Sequence, residues 1–239
     1  MAHYYNAEGR VRKIEYVTKP GQYREPTLRD AKKQGFAPGV TDVMSIMAKP
    51  GLERWKVREG VLAAKDLDPG NYASTDAFVL DAIARSKEEA STKADIGRDI
   101  HASIEAYYDG KSYGNKDIVH EVSRVLAAKI GPRDWRSEVE FHTTLDGLAY
   151  GGAADLVTSG YEIDIKTKEE LTDRMVYDEH LIQLAMYRHA LGSPGDVCGN
   201  LFVSYNGDVE LILHEEHKLE RGLNIGRAAL ALWYASKWK

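Results

Sequence analysis

The sequence predicts an α/β fold in which a central β-sheet is flanked by helices and preceded by a helical N-terminal half. Three patterns carry that expectation. From Ser137 to Thr167 the chain reads as an antiparallel meander: Ser137–Thr143 alternates apolar and polar side chains, Leu145-Asp146-Gly147 turns, and Leu148–Val157 leads through Thr158-Ser159-Gly160 into Tyr161–Thr167. Farther on, Asn206-Gly207 sits between two apolar runs, the signal of a hairpin with a two-residue turn. Between Val40 and Lys129 the apolar residues fall instead at helical spacing.

Taken in order, residues 1–37 are polar and turn-rich, with Pro20-Gly21 and Pro26 as breakers, and read as short strands or an ordered arm. Val40–Met47 opens a helix with Thr41 at its N-cap, and Leu52–Ala64 continues helically with Leu52, Trp55, Val61 and Leu62 on packed faces. Pro69-Gly70 marks a loop, after which Ser74 or Thr75 caps a helix through Ala84. A separate helix over Lys87–Tyr108 stops at Asp109-Gly110, where glycine accepts the left-handed conformation, and Asp117–Lys129 ends at Gly131-Pro132. Beyond the meander follow a helix over Met175–Leu191, strands over Asn200–Tyr205 and Val209–His214, and a last helix over Leu219–Trp238. With no internal repeat and no linker, one domain over residues 1–239 is expected: an arm and helical part to 95, a core over 96–215 and a C-terminal helix from 216.

The hydrophobic and charged fractions, 43% and 29%, place the chain among globular proteins and away from disordered or membrane-spanning ones. The longest apolar run, Ala228–Ala235, is too short to cross a bilayer, and Met1-Ala-His-Tyr-Tyr has no signal-peptide core, so a cytoplasmic protein is expected. Cys198 is the single cysteine, which excludes an intrachain disulfide and suits a reducing compartment. The net charge of −5 is unevenly spread. Residues 1–65 hold 13 Lys and Arg against 7 Asp and Glu, a surplus of +6, and residues 66–239 hold 19 against 30. The basic third either supplies phosphate contacts or is solvated surface.

The chemistry concentrates in Gly151–Thr167. Along a strand, Asp164 and Lys166 share one face while Ile163 and Ile165 point into the opposite, apolar layer. Charges inside a buried β-pattern are costly unless something compensates them. Two carboxylates, Asp155 and Asp164, beside a lysine supply oxygen ligands for a divalent cation and a group to activate water.

Asp155, Asp164 and Lys166 in this order and spacing resemble the PD-(D/E)xK nuclease superfamily. Gly97-Arg-Asp-Ile-His101 is similar to the glycine-to-histidine helix of its RecB-like branch, and Gln183-Leu-Ala-Met-Tyr187 to that branch's Q-x-x-x-Y signature. Pro38–Met47 with Leu52-Glu-Arg-Trp55 resembles the opening of phage and mitochondrial genome-maintenance exonucleases. The blocks span residues 38 to 190. Some relatives carry four cysteines for an iron–sulfur cluster; this chain, with one, has no such cluster.

The resemblance implies a restriction-endonuclease-like core with a mixed sheet, and a nuclease using one or two Mg²⁺ or Mn²⁺ ions. His101, Asp155, Asp164 and the main-chain oxygen of Ile165 would be the metal ligands, Lys166 would position the attacking water, and Gln183 and Tyr187 would border the reacting groups. Among further residues, Glu105 is either an outer partner of the metal or ordinary helix surface, and Glu138 and Glu140 either approach the cluster or are solvated. Thr167 and His180 are possible phosphate contacts. Trp55 is either a core residue or a stacking platform for a base. DNA with a single-stranded or free end is the expected partner, with phage recombination or replication proteins as possible others and no membrane. An exonuclease is the favoured reading; an endonuclease of the same fold and a non-catalytic DNA-binding recombination partner are the alternatives.

Overall fold

The computed structural model describes residues 2–16, 19–173, 175–192 and 196–238; Val17 and Thr18 of the expected arm lie outside the described residues. The arm contains strands β1 (Tyr4–Asn6), β2 (Gly9–Arg10), β3 (Ile14–Tyr16) and β4 (Lys19–Arg24), then helix α1 (Leu28–Gln34), strand β5 (Ala37–Pro38) and helix α2 (Val40–Met44). β1 pairs with β2 and β5, and β3 pairs with β4. Helix α2 is capped at Gly39 rather than Thr41, and stops at Met44 rather than Met47. Gly39 is held by a main-chain bond to His3, so tertiary pairing, not a capping side chain, sets where α2 starts.

Helix α3 (Pro50–Lys65) is followed by α4 (Thr75–Tyr108), whose 34 residues replace the two helices expected on either side of Ala84–Lys87. Neither Pro nor Gly occurs between Thr75 and Ile96, so nothing in the backbone chemistry forces a break there. The Ser74 hydroxyl caps the helix, accepting from the Ala77 N–H at 3.2 Å. Helix α5 (Lys116–Ile130) completes the helical half.

The sheet is built from β6 (Arg136–Leu145), β7 (Leu148–Thr158), β8 (Tyr161–Lys168), β9 (Val197–Ser204) and β10 (Val209–Leu213), with α6 (Asp178–Leu191) between β8 and β9 and α7 (Glu216–Lys237) at the end. Its order is β10-β9-β8-β7-β6. β6, β7 and β8 form the antiparallel meander. Asp146 and Gly147, with φ of 50° and 79°, make the first tight turn, and Gly160, with φ of 82°, makes the second. β9 runs parallel to β8, from Tyr161↔Val197 to Lys168↔Ser204, which requires the crossover that α6 supplies. The sheet is therefore mixed, and the mixed α/β class expected from the sequence is the one observed. The β9–β10 turn has three residues, Tyr205 to Gly207, closed by Ser204 N–H to Asp208 O at 2.8 Å. Tyr205 is taken out of the expected strand because its N–H bonds to Lys168 O and its hydroxyl to Lys93 O.

Helices cover both faces. α2, α6 and α7 bury Val43, Tyr150, Ile182, Met186 and Trp233 on one side. α4 and α5 bury Ile100, Ile104, Val122, Leu126, Ile163, Ile165 and Leu201 on the other. α6 lies between the sheet and α7, which explains why Leu181 through Tyr187 are all buried. The α6–α7 approach depends on Gly222, where a Cβ would lie 2.6 Å from Leu181 O. No helix among the described residues is long and apolar enough to cross a membrane.

Cys198 is fully buried on β9, and burial pushes its thiol well above the ordinary range. The native protein is therefore expected to resist a disulfide-exchange reagent and to release one thiol equivalent only after denaturation. Rapid reaction of the folded protein would show that β9 opens.

Candidate active site

β7 and β8 pair only near their shared turn, from Leu156↔Ile163 to Thr158↔Tyr161. Past that point the strands part, and the Asp155 carboxylate enters the opening, where its Oδ2 accepts the Ile165 N–H at 2.7 Å. The same oxygen lies 3.1 Å from His101 Nε2, while His101 Nδ1 meets Glu105 Oε1 at 2.5 Å. Flanked by two carboxylates, the ring acts as a double donor. Burial works against its charge, but the bonds to Asp155 and Glu105 outweigh that and raise its pKa to about 10. Burial pushes Asp155 upward too, yet the His101 contact prevails and holds it below the usual carboxylate range.

Glu138 on β6 joins this group. Its φ of 46° is left-handed, costly for a side-chain-bearing residue, and the β6–β7 pairing lapses between Ser137↔Leu156 and Val139↔Ala154. Ligand atoms of His101, Glu105 and Glu138 lie within 4.8 Å of one another, a set that could hold a metal ion. Burial, then the charges of Glu105 and Asp155, raise the Glu138 carboxyl to about 7.

The second half of the cluster faces α6. Asp164 is 1% exposed. Its Oδ1 accepts from Lys166 Nζ at 2.7 Å and its Oδ2 from Asn200 Nδ2 at 2.7 Å. Asn200 sits opposite Asp164 in the parallel β8–β9 register, and its Oδ1 accepts from His214 Nε2 at 2.7 Å. Burial brings His214 down to about 4, so it is neutral and carries its proton on Nε2. Lys166 Nζ also donates to Gln183 Oε1 at 3.1 Å, and Gln183 Nε2 to the Tyr187 hydroxyl at 3.0 Å. Gln183 and Tyr187, one helical turn apart, thus orient the ammonium from α6. Burial, with Asp155 nearby, raises Asp164 to about 6 against the pull of Lys166.

The structure therefore brings His101, Asp155, Asp164, the Ile165 main chain, Lys166, Gln183 and Tyr187 together. The remaining sequence candidates lie at different places. Thr167 turns toward α4, where a Cβ on Gly97 would come within 2.6 Å of its Oγ1. His180, in the first turn of α6, packs its ring against Tyr177 and Phe202 at 5.5 and 5.7 Å. Burial and then Lys166 and Lys168 depress it to about 3, so it is a neutral ring among cations. Trp55 is half-buried on α3, and no hydrogen bond or ring contact among the described residues ties it to the cluster. Asn200 and His214 were missed by sequence reading; a polar Asn inside the run Cys198–Val203 was the one available signal.

Gly97 is what lets α4 approach β8 closely enough to place His101. Gly97→Ala is expected to push α4 outward and lower any activity of the cluster about tenfold, comparable to a displaced ligand. Thr167→Ala in the same chain should recover most of the loss, as a rate comparison of the three variants would test. Failure of that rescue would mean that the Gly97–Thr167 contact does not position His101.

No protein-family model matches the sequence, and no curated protein matches it. Among solved structures, the chain is similar to a candidate exonuclease from Eubacterium rectale, at 14% identity and a TM-score of 0.46, over 59% of this chain and 67% of that one. It is also similar to the protein SSO0001, at 15% identity and a TM-score of 0.34, over 64% of this chain and 65% of that one. Both likenesses are distant, and the functional argument rests on the cluster itself.

Proposed function

We propose that the protein is a metal-dependent deoxyribonuclease of the PD-(D/E)xK superfamily and its RecB-like branch, acting as one catalytic unit. An exonuclease working on single-stranded or processed ends is the favoured activity. The observation that carries the reading is the meeting of Asp155, Asp164, Lys166 and His101 around the Ile165 main chain, where β7 and β8 part.

The residues fit a divalent cation. Glu105, Glu138, Asp155 and Asp164 outnumber the two cations beside them, His101 and Lys166; burial first, and then neighbouring carboxylates, raise Glu138 and Asp164. Asp155, Asp164 and the Ile165 carbonyl are hard oxygen donors suited to Mg²⁺ or Mn²⁺, with His101 as the nitrogen ligand and Glu105 and Glu138 beside it. His101 must give up its shared proton to serve as a ligand. When bound, such a cation lowers the pKa of water and offsets charge on the phosphate.

The chain's own groups supply the rest. Lys166, held by Asp164 and Gln183, directs its ammonium toward the attacking water and the phosphoryl oxygen, where negative charge builds. Water adds to phosphorus as the bond to the leaving oxygen breaks; the attacking water gives up a proton to solvent, and the leaving oxygen takes one up from solvent. Tyr187, its pKa pushed well up by burial, stays protonated and keeps Gln183 in place. Asn200 and His214 fix the second Asp164 oxygen so that the carboxylate cannot rotate.

The test is cleavage of end-labelled linear single-stranded, linear duplex and circular single-stranded DNA with Mg²⁺, Mn²⁺ or EDTA. Metal-dependent loss of linear DNA alone establishes an exonuclease, and cutting of circles an endonuclease. Absence of cleavage with every substrate and metal overturns the nuclease reading.

A further inference from the structure

The N-terminal arm holds a group of cations outside the carboxylate cluster. Ala2 and His3 ahead of β1, Arg10 of β2, the chain leading to β3 and the end of β4 with Glu25 and Pro26 line a pocket of about 460 Å³. His3, Arg10, Arg12, Lys13 and Arg24 line it against one carboxylate, Glu25, and Tyr23 forms part of its wall. Two of these cations are already engaged. Arg24 grips Asp30 through both terminal nitrogens, at 2.7 and 2.8 Å, and Arg12 pairs with Glu140. The side chains of Arg10 and Lys13 have no hydrogen bond or ion pair among the described residues. Positive charge left unopposed in a concave site attracts an anion. His3 senses the same field, since burial and then Arg10 push its pKa down.

β6 connects this pocket to the carboxylate cluster. Glu140 accepts the Arg10 main-chain N–H at 2.9 Å as well as the Arg12 side chain. Gly9 lies so close that a Cβ there would come within 2.3 Å of Glu140 Oε2. Glu138, beside His101 and Glu105, is two residues along the same strand, a distance of about 7 Å. Tyr23 is 62% exposed at the rim, so an aromatic face stands beside the cations. Phosphate charge and an unpaired base are the two features of a single strand that such a pair of groups recognises.

We propose that this pocket is a phosphate subsite for single-stranded nucleic acid, in which Arg10 and Lys13 hold a phosphate of the strand and Tyr23 stacks on a neighbouring base. The inference rests on the nuclease reading and specifies its substrate as an unpaired strand that reaches past Glu138 along the arm.

The experiment measures binding without cleavage. Fluorescence anisotropy of a labelled single-stranded oligonucleotide in EDTA is compared for the wild type, for Arg10→Ala with Lys13→Ala, for Tyr23→Ala, and for the charge-keeping pair Arg10→Lys with Lys13→Arg. The alanine pair is expected to weaken binding about tenfold and to lower the salt slope by roughly 0.7–1.4, one or two single-strand phosphate contacts. Tyr23→Ala is expected to weaken binding about fivefold or more, the loss of one stacked base, with no change of slope. The charge-keeping pair should bind within about twofold of wild type. A loss confined to oligonucleotides with a 5′-phosphate identifies the ligand as the terminal phosphate, and an equal loss with a 5′-hydroxyl identifies the backbone; either supports the subsite. Unchanged affinity and slope in the alanine pair overturns it, as does an equal loss in the charge-keeping pair. Because no cleavage is measured, these outcomes are separate from failure of the nuclease reading, which the metal-dependent assay detects.

Discussion

Lys166→Ala is expected to slow DNA cleavage by about a hundredfold or more, equivalent to roughly 2.7 kcal/mol of barrier, with little change in fold. Its ammonium is the cation that bridges Asp164 and Gln183, and in the proposed reaction it supports the charge that develops on the phosphoryl group. Removing it also leaves Asp164, already raised to about 6 by burial and Asp155, without its nearest opposing charge. Asp164→Asn should be at least as damaging, because it removes a proposed metal-ligand oxygen and the charged partner of Lys166 together. Lys166→Arg should not restore the rate, since a planar guanidinium cannot occupy the position of a compact ammonium between Asp164 Oδ1 and Gln183 Oε1. Single-turnover cleavage of a labelled strand under saturating Mg²⁺ would decide the matter. A Lys166→Ala rate within a few-fold of wild type would remove this lysine from the chemistry.

The largest loss of stability is expected for Trp233→Ala. Trp233 is 2% exposed in the core between the sheet, α2 and α7, with its ring 5.3 Å from Tyr234 and 5.6 Å from Trp238. It packs in the same core as Val40, Val43 and Met44, which joins α7 to α2. Truncation empties a volume that rigid helices cannot refill, so a destabilisation of about 3–5 kcal/mol follows. Trp233→Phe, keeping most of the ring, should cost clearly less. Urea unfolding midpoints at constant slope give both values. A Trp233→Ala protein within about 1 kcal/mol of wild type would mean that α7 packs more loosely than described.

Most of the fold was legible because its signals are local. Alternation over Ser137–Thr143, the positive-φ turn at Asp146-Gly147 and the apolar spacing of α5 each lie within about fifteen residues. The readings that changed depended on contacts distant in sequence. Tyr205 left its strand for Lys93 and Lys168, and α2 began where Gly39 meets His3. The break expected within α4 had no glycine or proline behind it, and none formed.

The candidate site divides the same way. Residue type and spacing alone implied that Asp164 and Lys166 share one strand face and that His101 and Glu105 lie one helical turn apart, because strand and helix periods are properties of a short chain segment. Only the tertiary structure decided that Glu138 turns into the same cluster through a left-handed backbone, and that Asn200 and His214 lock Asp164 from the neighbouring strands. It alone placed the basic arm beside Glu140. Those placements follow from strand register and helix packing across 30 to 130 residues of intervening chain, a range over which local periodicity carries no information.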